Sequence, residues 1–158
     1  MFKRILIVVL LFTGASAVLN AQDDPRIKNF TAFMNALKNG EDVKAVFEYG
    51  KCKLVIDSTE EKSPDVTGGM AVEEFEYFPA MTINNPKGYV AFSKTVLISH
   101  RRHKYVWNYV KVRVYEDNSV EINARYIKTD YSENLMEETF YGVINDGTNN
   151  GGVNFYTD

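Results

Sequence analysis

Apolar residues recur along this chain with two periods, and the change between them divides it. Ile27, Phe30, Phe33, Met34 and Leu37 fall at i, i+3, i+6, i+7 and i+10, while Lys28, Asn29, Asn35 and Lys38 fall elsewhere around the turn. That spacing predicts an amphipathic helix, and Gly40 after Asn39 supplies a stop, since glycine enters the left-handed region without steric cost. From Val43 the period becomes two. Val43, Ala45, Phe47 and Tyr49 share one face of a strand, with Lys44, Val46 and Glu48 opposite.

The same rhythm predicts further strands downstream. Lys51 to Asp57 continues or pairs with the first strand, and Ser58 to Gly69 is a charged, turn-rich loop. Met70 to Phe78 reads as a strand whose Glu73-Glu74 doublet marks a bulge, Pro79 closes it, and Ala80 to Asn84 is a further short segment. After the turn Asn84 to Gly88, Tyr89 to Ser99 is extended. Tyr105 to Tyr115 is the most β-prone stretch: Val106, Val110, Val112 and Val114 take one face, and Trp107, Tyr109, Lys111, Arg113 and Tyr115 the other. Glu116 to Ser119 is a hairpin connection to Val120, Ile122, Ala124 and Tyr126. Asp130 to Glu137 offers one helical turn, and Glu138 to Ile144 and Val153 to Tyr156 supply the last strands.

With turns this frequent and no second helix to cross between parallel strands, the expected fold is α+β and mostly β. It is an N-terminal amphipathic helix packed on an antiparallel meander of about eight strands, barrel-like or strongly curved so as to hide its edges.

The segment before the helix has no period at all. Lys3 and Arg4 precede an unbroken apolar run, Ile5 to Phe12, and small residues follow at Ala15-Ser16-Ala17 and Leu19-Asn20-Ala21. This is the layout of a cleavable secretory signal, with an apolar run too short for a membrane span. Cleavage fits after Ala17 or after Ala21, and the second leaves a polar start at Gln22. No cysteine stands at either junction, which argues against an acylated N-terminus. Residues 1–21 are therefore expected to be a signal peptide and residues 22–158 one β-rich domain, exported to the periplasm or secreted.

Charge adds little. Loss of Lys3 and Arg4 takes the formal net charge from −3 to −5. An acidic export product has no global electrostatic reason to bind nucleic acid or anionic lipid. Cys52 is the sole cysteine. Stability must then come from packing rather than an internal disulfide, and a small buried hydrophobe is the simplest role for that side chain.

One stretch, Phe33 to Cys52 (FMNALKNGEDVKAVFEYGKC), resembles the opening of the VirK family of small exported bacterial proteins. The pattern there is a leader, a helix ending Ala-Leu-x-x-Gly, a strand of alternating apolar residues and then a cysteine. Ala36, Leu37, Gly40, Val43, Ala45 and Cys52 occupy those places, and Gly68-Gly69, Phe92-Ser93 and the turn at Asp117 are compatible with it. The resemblance implies an envelope or secreted location. It brings no established reaction, cofactor or catalytic residue.

Candidate chemistry is sparse. His100-Arg101-Arg102-His103-Lys104 is the only dense basic cluster and holds both histidines. Arg101 and Arg102 are candidates for binding an anion, though a solvated hairpin whose charges discourage edge pairing is the favoured account of them. Glu74 and Glu76 share one strand face and Glu73 the other, so no pair of carboxyls confronts across a cleft. Asp146 to Gly152 has oxygen ligands but one carboxylate, short of a calcium loop. Neither metal nor cofactor has a ligand set here. The aromatic group Trp107, Tyr109, Tyr115, Tyr126, Tyr141 and Tyr156 suggests strands with something to cover on each side, and Trp107, Tyr109 and Tyr115 are the ligand-binding candidates.

The expected function is a non-catalytic exported domain that binds a small apolar ligand or a protein partner in the bacterial envelope. The alternative is a hydrolase or isomerase on a small β scaffold, with His100 or His103 as acid–base group beside a carboxylate. An outer-membrane barrel ranks last, because Lys44, Glu48, Lys111 and Arg113 interrupt any outward apolar band.

Overall fold

A computed structural model describes residues 25–157 of the 158. The signal-peptide reading and both cleavage sites fall outside the described residues. The chain opens with a two-residue strand, β1 (Arg26–Ile27), and the helix α1 (Phe30–Lys38). Ile27, expected in the helix, is in β1 instead, because Asn29 caps: its extended backbone ends the strand and its side chain accepts a hydrogen bond from Ala32 N–H at 2.9 Å. The helix buries Phe30, Phe33, Met34, Ala36 and Leu37, the stripe read from spacing with Ala36 added. It stops where expected. Gly40 has φ +74°, its N–H donates to Leu37 O at 3.1 Å, and Glu41 N–H donates to Ala36 O at 3.0 Å. This is a Schellman closure, in which the two bonds satisfy carbonyls the helix leaves open.

Ten strands follow α1: β2 (Val43–Glu48), β3 (Lys53–Ile56), β4 (Thr59–Glu61), β5 (Thr67–Val72), β6 (Glu76–Phe78), β7 (Tyr89–His100), β8 (Lys104–Tyr115), β9 (Ser119–Lys128), β10 (Asn134–Val143) and β11 (Val153–Thr157). They form two antiparallel sheets, one of four strands in the order β1-β11-β2-β5 and one of seven in the order β4-β3-β10-β9-β8-β7-β6. Strands β6 to β10 make a consecutive meander. Among the described residues the large sheet ends at β4 and β6, which do not pair, so the expected barrel does not close. The reason lies at Glu73 to Phe75. They are not a bulge within one strand but the passage from β5, paired with β2, to β6, paired with β7. The chain leaves one sheet there and enters the edge of the other.

Three smaller expectations also differ. The loop expected over Ser58 to Gly69 holds β4 and the start of β5, and the described strands number eleven rather than about eight. Residues 80–84 form turns rather than a strand, with Met81 and Asn84 at φ +65° and +62°. Asp130 to Glu133 is a turn, and β10 starts at Asn134 with its bulge between Asn134 and Met136.

One continuous core joins α1 to both sheets. Phe33 is fully buried, with its ring centroid 4.3 Å from Phe155 of the small sheet and 6.3 Å from Phe92 of the large one. Val43, Ala45, Phe47, Val153 and Phe155 come from the small sheet, and Val90, Val112, Val114, Val120, Ile122 and Phe140 from the large. Alternation along β8 assigns its faces as expected. Val106, Val112 and Val114 are buried on the inner side, while Trp107, Tyr109, Lys111, Arg113 and Tyr115 are half-buried on the outer side.

Candidate functional site

The long strands β7 to β10 run well beyond the helix and small sheet, which cover one end of them: the first halves of β7 and β9 and the second halves of β8 and β10. Register puts Val110, Ala124 and Glu138 abreast on the inner face, with Asn108, Tyr126 and Met136 one pair further along. These residues floor a recess of about 290 Å³ walled by Tyr49, Pro64, Val66 and Gly68 and backed by Phe140. Its lining is mainly apolar. A second recess of about 160 Å³ continues it across Tyr49, Gly68, Asn108 and Val110 to Met70, Lys94 and Val96.

The wall is built by a close approach. The Tyr49 ring packs 4.6 Å from Phe140 and 6.1 Å from Phe47. A Cβ on Gly68 would stand 3.0 Å from Tyr49 Cε2, so glycine at this position of β5 leaves the ring its space. Tyr49 N–H donates to Val66 O at 3.0 Å and fixes the loop before β5. Burial pushes the Tyr49 hydroxyl pKa up to about 12, so it stays neutral.

At its far end the inner face meets the β7–β8 turn. Tyr126 and Met136 also line an open recess of about 550 Å³ with His100, Arg101, Arg102, His103 and Leu135. The His100 ring lies 5.8 Å from Tyr126, edge to face, and 5.1 Å from His103. His100 Nδ1 accepts from the N–H groups of Arg102 and His103, each at 3.3 Å. No carboxylate hydrogen-bonds or ion-pairs with either imidazole among the described residues, so an acid–base role has no orienting partner in this geometry.

The three aromatic candidates are on the outer face. Trp107 stacks on Tyr131, 6.2 Å between centroids and 15° between planes, at the end of the sheet nearest the basic turn. Tyr109 lines an open trough of about 770 Å³ with Lys111, Arg113, Glu74, Glu76, Phe75 and Ile83. Tyr115 belongs to a polar cluster. Its hydroxyl donates to Glu121 Oε2 at 3.2 Å, Arg113 Nη1 donates to Glu121 Oε1 at 2.6 Å, and the Arg113 guanidinium lies 5.7 Å from the centre of the Tyr89 ring. Burial raises the Tyr115 pKa to about 12, with the Glu121 charge adding to it. The three thus share the outer face of β8, Trp107 beside Tyr131, Tyr109 in the trough and Tyr115 in the Arg113–Glu121 cluster.

Sequence reasoning singled out Tyr126 but missed Tyr49, Gly68, Val110, Met136 and Phe140. The one available signal was Gly68-Gly69, read from the sequence as the end of a turn-rich loop but found within β5, where a glycine lets another group approach the backbone closely.

Two remaining candidates resolve as structure. Cys52 is buried against Gly142 and Gly152, and burial raises its thiol pKa. Asp146 Oδ1 accepts from Thr148 N–H, Thr148 Oγ1 and Asn149 N–H at 2.7–2.8 Å, so its own turn occupies that oxygen. Among the described residues no group of three or more His, Cys, Asp or Glu side chains stands close enough to hold a metal ion.

A family model described as VirK protein matches residues 26–131. The crystal structure of lpg1832, a VirK family protein from Legionella pneumophila, superposes with a TM-score of 0.62 over 84% of this chain and 99% of that one, at 12% identity. At that identity the likeness concerns the fold. No curated protein matches the chain in sequence. The family model spans about two thirds of the chain, over α1, β1 to β9 and the turn after them, and on that match the chain belongs to the VirK family.

Proposed function

We propose that this VirK protein is an exported, non-catalytic domain of the bacterial envelope that binds a small apolar ligand on the inner face of its large sheet. The observation that carries the proposal is the recess floored by Val110, Ala124, Tyr126 and Met136 and walled by Tyr49 and Val66. Apart from Asn108 and Glu138, which share the floor, these are core-type side chains on a core-type face, and there the layer that covers the rest of the sheet stops. An apolar ligand would complete that layer and gain roughly 25 cal/mol for each Å² of apolar surface it removes from water. The apolar run of residues 5–12 behind Lys3 and Arg4 supports export.

A second reading puts the ligand in the outer trough beside Tyr109, where Phe75 and Ile83 are exposed. Titration with a long-chain fatty acid carrying a fluorescent reporter separates the two. Saturable binding is expected, weakened at least tenfold by Ala124→Trp, which fills the inner recess, and unchanged by Tyr109→Ala. Loss with Tyr109→Ala alone moves the site to the trough. No saturable binding by the folded protein rejects both.

A further inference from the structure

Strand β7 has a long unpaired edge. It is twelve residues long, and β6 pairs only with Tyr89 to Ala91; beyond them the Glu73–Phe75 passage and the end of β5 lie beside Phe92 to Lys94 without a described strand pairing, and the stretch from Thr95 to His100 has no described strand on that side. Open edges of this length template the addition of another strand. Val96 and Leu97 sit in the middle of the free stretch, 48% and 49% exposed, one on each face of the sheet. Charge is divided between its two ends. The end bounded by β6 carries Glu73, Glu74 and Glu76, all exposed, with Glu73 ion-paired to Lys94 and Glu74 and Glu76 without an ion-pair partner among the described residues. The other end is the basic turn Arg101-Arg102-His103-Lys104, also exposed.

We infer that this edge is a homodimer interface, in which β7 of a second copy adds antiparallel across a two-fold axis near Val96 and Leu97. The occupant follows from the charge pattern. Antiparallel pairing about the middle of the free stretch brings the basic turn of each copy to the acidic Glu73–Glu76 segment of the other. Parallel addition would set like charges together. An edge that is acidic at one end, apolar in the centre and basic at the other is self-complementary under that one operation. It buries both exposed apolar side chains and joins two seven-stranded sheets into one. The anion met by Arg101 and Arg102 is then carboxylate of a second copy; of the inner-face site only Val96, at the end of the smaller recess, is shared with this edge.

The contact is an edge and not a broad face, so it belongs to the weak size class. Sedimentation equilibrium of the purified chain should show a mass rising from one toward two chains between about 10 µM and 500 µM. Leu97→Lys, at an exposed position that the fold tolerates, should hold it at one chain throughout. Arg101→Glu with Arg102→Glu should do the same, and adding Glu74→Arg with Glu76→Arg to that variant should restore dimerisation by returning opposite charges to each contact. A wild-type chain that stays monomeric to 500 µM, or a dimer indifferent to Leu97→Lys and to the charge reversals, would overturn the inference.

Discussion

At the scale of single residues, tight packing around Cys52 decides more than its chemistry. A Cβ on Gly152 would stand 2.7 Å from Cys52 Sγ and 3.0 Å from Glu48 O; one on Gly142 would stand 2.9 Å from the same sulfur. Gly152→Ala should therefore cost about 1–3 kcal/mol by overpacking, measured by denaturant unfolding. Combining it with Cys52→Ala should recover part of that cost, because the two share one space. The folded thiol, buried and with its pKa raised, should stay unmodified by a water-soluble maleimide for far longer than the unfolded chain does. Asp117 shows the opposite case. The Lys87 ammonium, and then Ser119, hold its carboxyl down at about 2. A depressed acid stabilises the fold above its unfolded pKa of about 3.9 and ceases to do so as pH falls through its folded value. Because the pair is half exposed, its worth is under about 1 kcal/mol. Carboxyl NMR should place the Asp117 midpoint near 2, and Lys87→Met should raise it.

At the scale of elements, Asn118 ties the helix to the meander. It stands at φ +67° in the β8–β9 turn, and its Oδ1 accepts from Phe30 N–H at 2.7 Å, a donor the first turn of α1 would otherwise leave open. Asn118→Ala loses that bond and keeps the left-handed backbone, so it should cost about 1–3 kcal/mol. Asn118→Gly should cost less, since only the bond is lost; equal losses would show that the backbone carries no strain. Elements of this kind were legible where period and punctuation agree: the α1 stripe with Gly40, the alternation of β2, and the inner and outer faces of β8. They were not legible where a strand is short or ends without a breaker. The passage at Glu73 to Phe75 carries no proline or glycine, so β5 and β6 read as one strand.

At the scale of the whole molecule, two open sheets sharing a core leave both an uncovered inner face and an uncovered edge. Local pattern cannot show either, because alternation says which residues share a face and nothing about how far the covering layer extends. Val110 and Val112 read alike along the strand. In the fold Val112 is fully buried beneath that layer, while Val110 is partly exposed beside the recess. The aromatic candidates Trp107, Tyr109 and Tyr115 stand on the outer face, opposite the core valines, where alternation placed them. The most direct measurement is a backbone-amide NMR titration of the folded protein with a saturated long-chain fatty acid. Binding on the inner face predicts saturable shifts grouped at Tyr49, Gly68, Val110, Ala124, Tyr126 and Met136. Shifts confined to Trp107, Tyr109 and Tyr115, or none at saturation, would contradict it.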